Sequence, residues 1–134
     1  MKNIIKEWID FAQKDMRTNE KLLKYSDFDT EIVTFHCQQA IEKYFKAFLL
    51  ENGWQLQKTH DIVTLHKEIK KIKDFGFDYG IINSIYKMYS DIRYPGYYKP
   101  PTQEQVREFY KFALEVEQKI KKELGVEGMG SYNA

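Results

Sequence analysis

Through most of the chain, apolar side chains recur at helical spacing with charged residues between them. Ile5, Trp8 or Ile9, Ala12, Met16 and then Leu22 and Leu23 fall on one stripe, which is the repeat of an amphipathic helix and predicts helix one over about residues 3–24. Tyr25-Ser26-Asp27-Phe28-Asp29-Thr30 is rich in side chains that compete for backbone hydrogen bonds, so it predicts a turn ending in an N-cap. Helix two follows from about Glu31 to Glu51. Asn52-Gly53 stops it, because both residues tolerate left-handed backbone angles. Gln55 to His60 reads as a connecting loop.

Asp61 can cap what comes next, and Ile62, Leu65, Ile69 and Ile72 predict a shorter amphipathic helix. Phe75-Gly76-Phe77-Asp78-Tyr79-Gly80 breaks that pattern. Helix four resumes with Ile81, Ile82, Ile85, Met88, Tyr89 and Ile92. The segment from Arg93 to Pro101 holds Pro95, Pro100 and Pro101 and cannot continue a helix, since proline lacks an amide donor and biases its predecessor away from helical angles. Thr102-Gln103-Glu104-Gln105 is a capping box. Val106, Phe109, Tyr110, Ala113, Val116, Ile120 and Leu124 then form helix five. Gly125 to Ala134 has three glycines and no apolar period, so it reads as a flexible tail beyond a single domain over residues 1–124. Long amphipathic helices on short loops, with no alternating strand pattern, predict an all-α, antiparallel up-and-down bundle of four main helices plus one short helix.

Composition adds an aromatic-rich core: Phe and Tyr number 9 and 10 in 134 residues. Several rings are left over for a further contact, which fits a two-fold homodimer. Lys plus Arg total 21 against 20 acidic residues, so no global cationic field draws nucleic acid, and any anion site must be local. The Lys70-Lys71 and Lys121-Lys122 pairs read as solvated surface. Cys37 is the single cysteine, which precludes an intramolecular disulfide and any paired-cysteine zinc spacing. No apolar run nears the roughly 20 residues that span a bilayer, and the start lacks a signal peptide's apolar segment. These features point to the cytoplasm, with no membrane, metal or cofactor implied.

Three segments could hold chemistry. On helix two, at about 100° per residue, His36, Gln39, Lys43 and Lys46 fall on one polar ribbon beside the core face. Two ammoniums, an imidazole and a carboxamide could hold phosphate or a base edge. The plainer alternative is a hydrated helix edge on which Glu42 pairs with Lys46. The Pro-containing loop offers Arg93 with Tyr94, Tyr97 and Tyr98. A guanidinium grips phosphate and exposed rings stack on bases, but the same residues could form a rigid loop with half-buried tyrosines. Ahead of helix three, Lys58-Thr59-His60-Asp61 contains an imidazole that Asp61 could orient; such residues also simply start helices. His36, Cys37, His60 and His66 match no tight metal-ligand spacing.

Phe35-His36-Cys37-Gln38-Gln39-Ala40-Ile41-Glu42-Lys43-Tyr44-Phe45-Lys46-Ala47, then Lys58-Thr59-His60-Asp61, then Asp91-Ile92-Arg93-Tyr94-Pro95 together resemble, in order and separation, the HEPN domain, over roughly residues 5–124. The resemblance implies a helical bundle, commonly a homodimer, often encoded beside a minimal nucleotidyltransferase that acts as its partner in a toxin-antitoxin-like or defence pair. Many members are metal-independent ribonucleases whose motif is an Arg followed a few residues later by a His. Here Arg93 stands at the first position, but Tyr98, Lys99 and Pro100 occupy the places of the His. An unperturbed phenol, with a pKa near 10, exchanges protons poorly at neutral pH. Without that His, the resemblance implies nucleotide or RNA binding without cleavage, and the residue patterns above offer His36, Gln39, Lys43, Lys46, His60, Arg93, Tyr94 and Tyr97 as the candidate binding residues. The alternatives are an endoribonuclease using Arg93 with Tyr98 or His36, and a structural helical adaptor.

Overall fold

The computed structural model describes residues 1–96 and 98–126. The chain folds into α1 (Asn3–Leu22), α2 (Thr30–Glu51), α3 (Ile62–Lys70), α4 (Tyr79–Asp91) and α5 (Gln103–Leu124), with no strand among the described residues. It is the expected all-α bundle of four main helices and a short one.

Side-chain caps set most of the helix starts, because the first amides of a helix have no partner within it. Asp29 accepts from the amides of Glu31 and Ile32 at 3.0 and 3.4 Å, and Asp61 from those of Val63 and Thr64. Thr102 and Gln105 exchange the reciprocal bonds of a capping box. Asp78 accepts from the Ile81 amide, so α4 opens at Tyr79 and takes Gly80 into its first turn. At the other end, Gly125 turns left-handed with φ 73°. That lets the Val126 amide donate to the Lys121 carbonyl at 2.9 Å, and the Val126 side chain is buried on the core.

Two helix ends differ from the periodicity. The first helix stops at Leu22, since Leu23 to Tyr25 bond back as turns. The third stops at Lys70, and Ile72 is left largely exposed because the chain turns before that residue can face the core.

α2 is the hub and packs against every other helix. Val33, Cys37, Ala40, Ile41, Tyr44, Phe45, Ala47, Phe48 and Leu49 are all buried, so its C-terminal half has almost no solvent face. Rings fill the space beside it: Phe75 and Phe77 stack at 5.2 Å, and Phe77 meets Phe112 edge-on at 5.9 Å. The Tyr44 hydroxyl donates to the Glu117 carboxylate of α5. On the opposite side Asn19 of α1 donates to the Val33 carbonyl at 3.0 Å and to the Cys37 sulfur at 3.3 Å. Burial pushes the Cys37 thiol far up, so this sulfur stays protonated and is a packing group, not a nucleophile.

Candidate functional site

α2 keeps one water-facing strip, at Ile32, Phe35, His36, Gln39 and Lys43. It runs along the N-terminal two thirds of α2. The polar ribbon read from helical angles is therefore real at His36, Gln39 and Lys43, and it ends there. Lys46 is buried, with its ammonium 2.8 Å from the Glu42 carboxylate and 5.3 Å from the Trp8 ring centre. Its angle borders the strip, but Trp8 of α1 covers it.

Two carboxylates organise these groups. Asp15 of α1 holds the His36 Nδ1 at 2.8 Å with one oxygen and the Lys43 ammonium at 2.6 Å with the other. Glu42 holds Lys46 and also the His60 Nδ1 at 3.0 Å. The Gln38 amide donates to the His60 carbonyl at 2.6 Å, which pins the loop before α3 to α2. Asp15 and Glu42 offset Lys43 and Lys46 in formal charge, so the ribbon is not a bare cationic strip. The hydrated-edge reading correctly paired Glu42 with Lys46, although in a dry setting.

Arg93 reaches this region through a ring. Its guanidinium carbon lies 4.8 Å from the centre of Tyr89, a stacked geometry that favours a cation on a π face. Tyr89 in turn packs against Phe35 at 6.1 Å and Tyr86 at 6.3 Å, and the Gln39 amide lies near its hydroxyl. Burial pushes that hydroxyl's pKa up, while the Arg93 charge and the nearby Gln39 amide act the other way. The loop arginine thus joins the Phe35–Gln39 end of the strip.

The remaining predicted residues disperse. Tyr98 donates its hydroxyl to Glu31 at 3.0 Å, and that bond raises its pKa. Tyr94 is exposed, and Tyr97 lies outside the described residues. Asp61 caps α3 and does not bond to His60; the Thr64 hydroxyl donates to it at 2.8 Å. No group of His, Cys, Asp and Glu that could hold a metal occurs among the described residues, and no helix there is long and apolar enough to cross a membrane. A cleft of about 600 Å³ between α4 and α5, lined by Ile81, Ser84, Lys87, Gln105, Glu108 and Phe109, contains none of the predicted residues.

Sequence reasoning missed Asp15, Phe35 and Tyr89 as members of the site. Asp15 had a signal, since it interrupts the buried stripe of Ala12, Met16 and Asn19, and a carboxylate there needs a partner.

A five-helix bundle with a central second helix and an arginine loop after the fourth defines the class. The HEPN domain model matches residues 5–124, and the chain belongs to that family. Two solved structures share the fold. One is TT1696 from Thermus thermophilus, with TM-score 0.70 and 20% identity over 90% of this chain and 98% of that one. The other is ST0689, an archaeal HEPN homologue, with TM-score 0.70 and 23% identity over 92% and 99%. No curated protein matches the chain by sequence.

Proposed function

We propose that this protein is a nucleotide- or RNA-binding HEPN domain that does not cleave its ligand, and that it acts as a homodimer with a minimal nucleotidyltransferase partner in a toxin-antitoxin-like or defence pair. The observation that supports ligand binding is the stacking of Arg93 on Tyr89 beside the Gln39 amide and the exposed Phe35 ring. It provides one guanidinium for phosphate and ring and amide surface for a base. The dimer and the partner rest on family membership. Lys43, tied to Asp15, and Lys46, buried on Glu42, contribute less to anion binding in this reading than their residue types suggest.

Calorimetry with ATP, other nucleotides and short unstructured RNA tests the binding. Affinity in the micromolar range or better, weakened by Arg93→Ala, is expected; silence toward every ligand ends this reading. Gel filtration with the partner encoded alongside tests the pairing.

One observation favours the endoribonuclease alternative. Asp15 on the His36 Nδ1 is the arrangement by which a carboxylate fixes an imidazole's tautomer and orientation for proton transfer. Tyr98 suits that role less, because Glu31 holds its proton. Incubation of purified protein with unstructured RNA decides between the readings. Cleavage abolished by both His36→Ala and Arg93→Ala would replace the noncatalytic one.

A further inference from the structure

Phe35 is 41% exposed, although it sits on the helix that is otherwise the most deeply buried in the molecule. Its ring is held in place all the same. It packs at 6.1 Å on Tyr89, tilted by 31°, and meets His36 edge-on at 5.2 Å. Tyr86 lies near-parallel to Tyr89 at an interplanar angle of 28°, and Arg93 stacks on the same tyrosine. A ring fixed from within and open to water, one residue away from a stacked guanidinium, is the composition of a base-stacking platform.

We propose that Phe35 is the stacking seat for an unpaired base of single-stranded RNA and that Arg93 takes a neighbouring backbone phosphate. This assignment rests on the RNA-binding reading above and adds the residue and the strand state to it. Duplex is disfavoured, because paired bases do not present their faces to a protein ring.

Most of the nearby carboxylates are neutralised: Asp15 by Lys43 and His36, Glu42 by Lys46 and His60, and Asp91 by Lys87 at 2.8 Å, while Glu31, one turn before Phe35, accepts from the Tyr98 and Thr30 hydroxyls and keeps its charge. Arg93 has no carboxylate partner among the described residues, so its charge is available to a phosphate. A second copy of the chain fits this spot less well. The exposed apolar side chains here, Phe11 beside Lys43, Ile32, Phe35 and Tyr94, are interrupted by His36, Gln39, Lys43 and Arg93, whereas a stable dimer buries roughly 800 Å² per partner around an apolar centre.

Fluorescence anisotropy with a short labelled oligoadenylate, single-stranded and annealed to its complement, tests the assignment on the full chain. The wild type is expected to prefer the single strand. Phe35→Ala should weaken binding roughly tenfold to a hundredfold while its melting curve stays close to wild type. Phe35→Trp should retain affinity, and its added indole emission should be quenched by RNA beyond any quenching of Trp8 and Trp54. Wild-type binding that Phe35→Ala leaves unchanged, with an unquenched Phe35→Trp, overturns the stacking seat and leaves the RNA-binding reading standing. Absence of wild-type binding to any RNA removes both. If light scattering shows that Phe35→Ala converts a dimer to a monomer while the Phe35→Trp indole ignores RNA, the ring belongs to a subunit interface and the proposal is overturned.

Discussion

Asp15 and Glu42 do the same chemistry in two settings: each carboxylate takes one lysine and one histidine. Asp15 reaches from α1 to α2, and its partners His36 and Lys43 keep 23% and 20% of their side-chain surface in water. Glu42 and Lys46 share one helix and keep only 4% and 5%, whereas His60 on Glu42 is 61% exposed. The difference shows that geometry alone does not rank these contacts. A buried ion pair gives back much of its attraction as lost hydration, so the pair adds little, yet removing one member strands the other in a dry site. The Asp15 cluster, with about a fifth of its histidine and lysine surface in water, is less desolvated, and its partners border the solvent. The first arrangement suits a fastener, the second a binding surface.

Breaking the buried pair should have the largest effect. Glu42→Ala leaves the Lys46 ammonium with Trp8 as its neighbour and is expected to cost about 3–5 kcal/mol in urea denaturation. Adding Lys46→Met should restore most of that loss; a double variant as unstable as the single one would show that the charge imbalance is not the cause. Asp15→Asn should cost about 1–2 kcal/mol, since its contacts are charge-assisted but partly screened. That loss should shrink at high salt, which the Glu42→Ala loss should not.

The third histidine sharpens the contrast, because it has no carboxylate bonded to it. His66 is buried against Phe45 and Phe77, its Nδ1 lacks a hydrogen-bond partner, and burial lowers its pKa below the ordinary 6.5. The folded state therefore resists a proton that the unfolded state accepts. Its contribution to stability is complete above pH 6.5 and declines as the pH falls below that value toward the depressed folded pKa. Denaturation curves across this window should be steeper in pH for wild type than for His66→Leu; equal slopes would exclude His66 as a source. The smallest effect belongs to His60→Ala. Its ring is mostly in water, so a change of no more than about 0.5 kcal/mol is expected.

The helices were legible because Val106, Phe109, Ala113, Val116 and Ile120 and their equivalents repeat without interruption, and burial follows that repeat. The caps at Asp61 and Thr102 were legible for the same local reason. Gly80 misled, because a glycine just inside a capped first turn looks the same in sequence as a glycine that ends a helix. The site was legible only where its contacts are local. Glu42 and Lys46 are one turn apart and could be paired from spacing, but Asp15 meets His36 and Lys43 across 21 and 28 residues, which no helical period encodes. Nor could spacing tell that Trp8 would cover Lys46 while Phe35 stayed open, since both lie at the border of the apolar face and the neighbouring helix decides.

The sulfur enclosed between α1 and α2 has a practical consequence. Cys37 is fully shielded, bonded by Asn19 and held as the thiol, so a thiol-reactive dye can reach it only when those two helices part. Because no other cysteine competes for the reagent, its modification rate times the opening of this seam directly, a stopwatch that needs no engineered label.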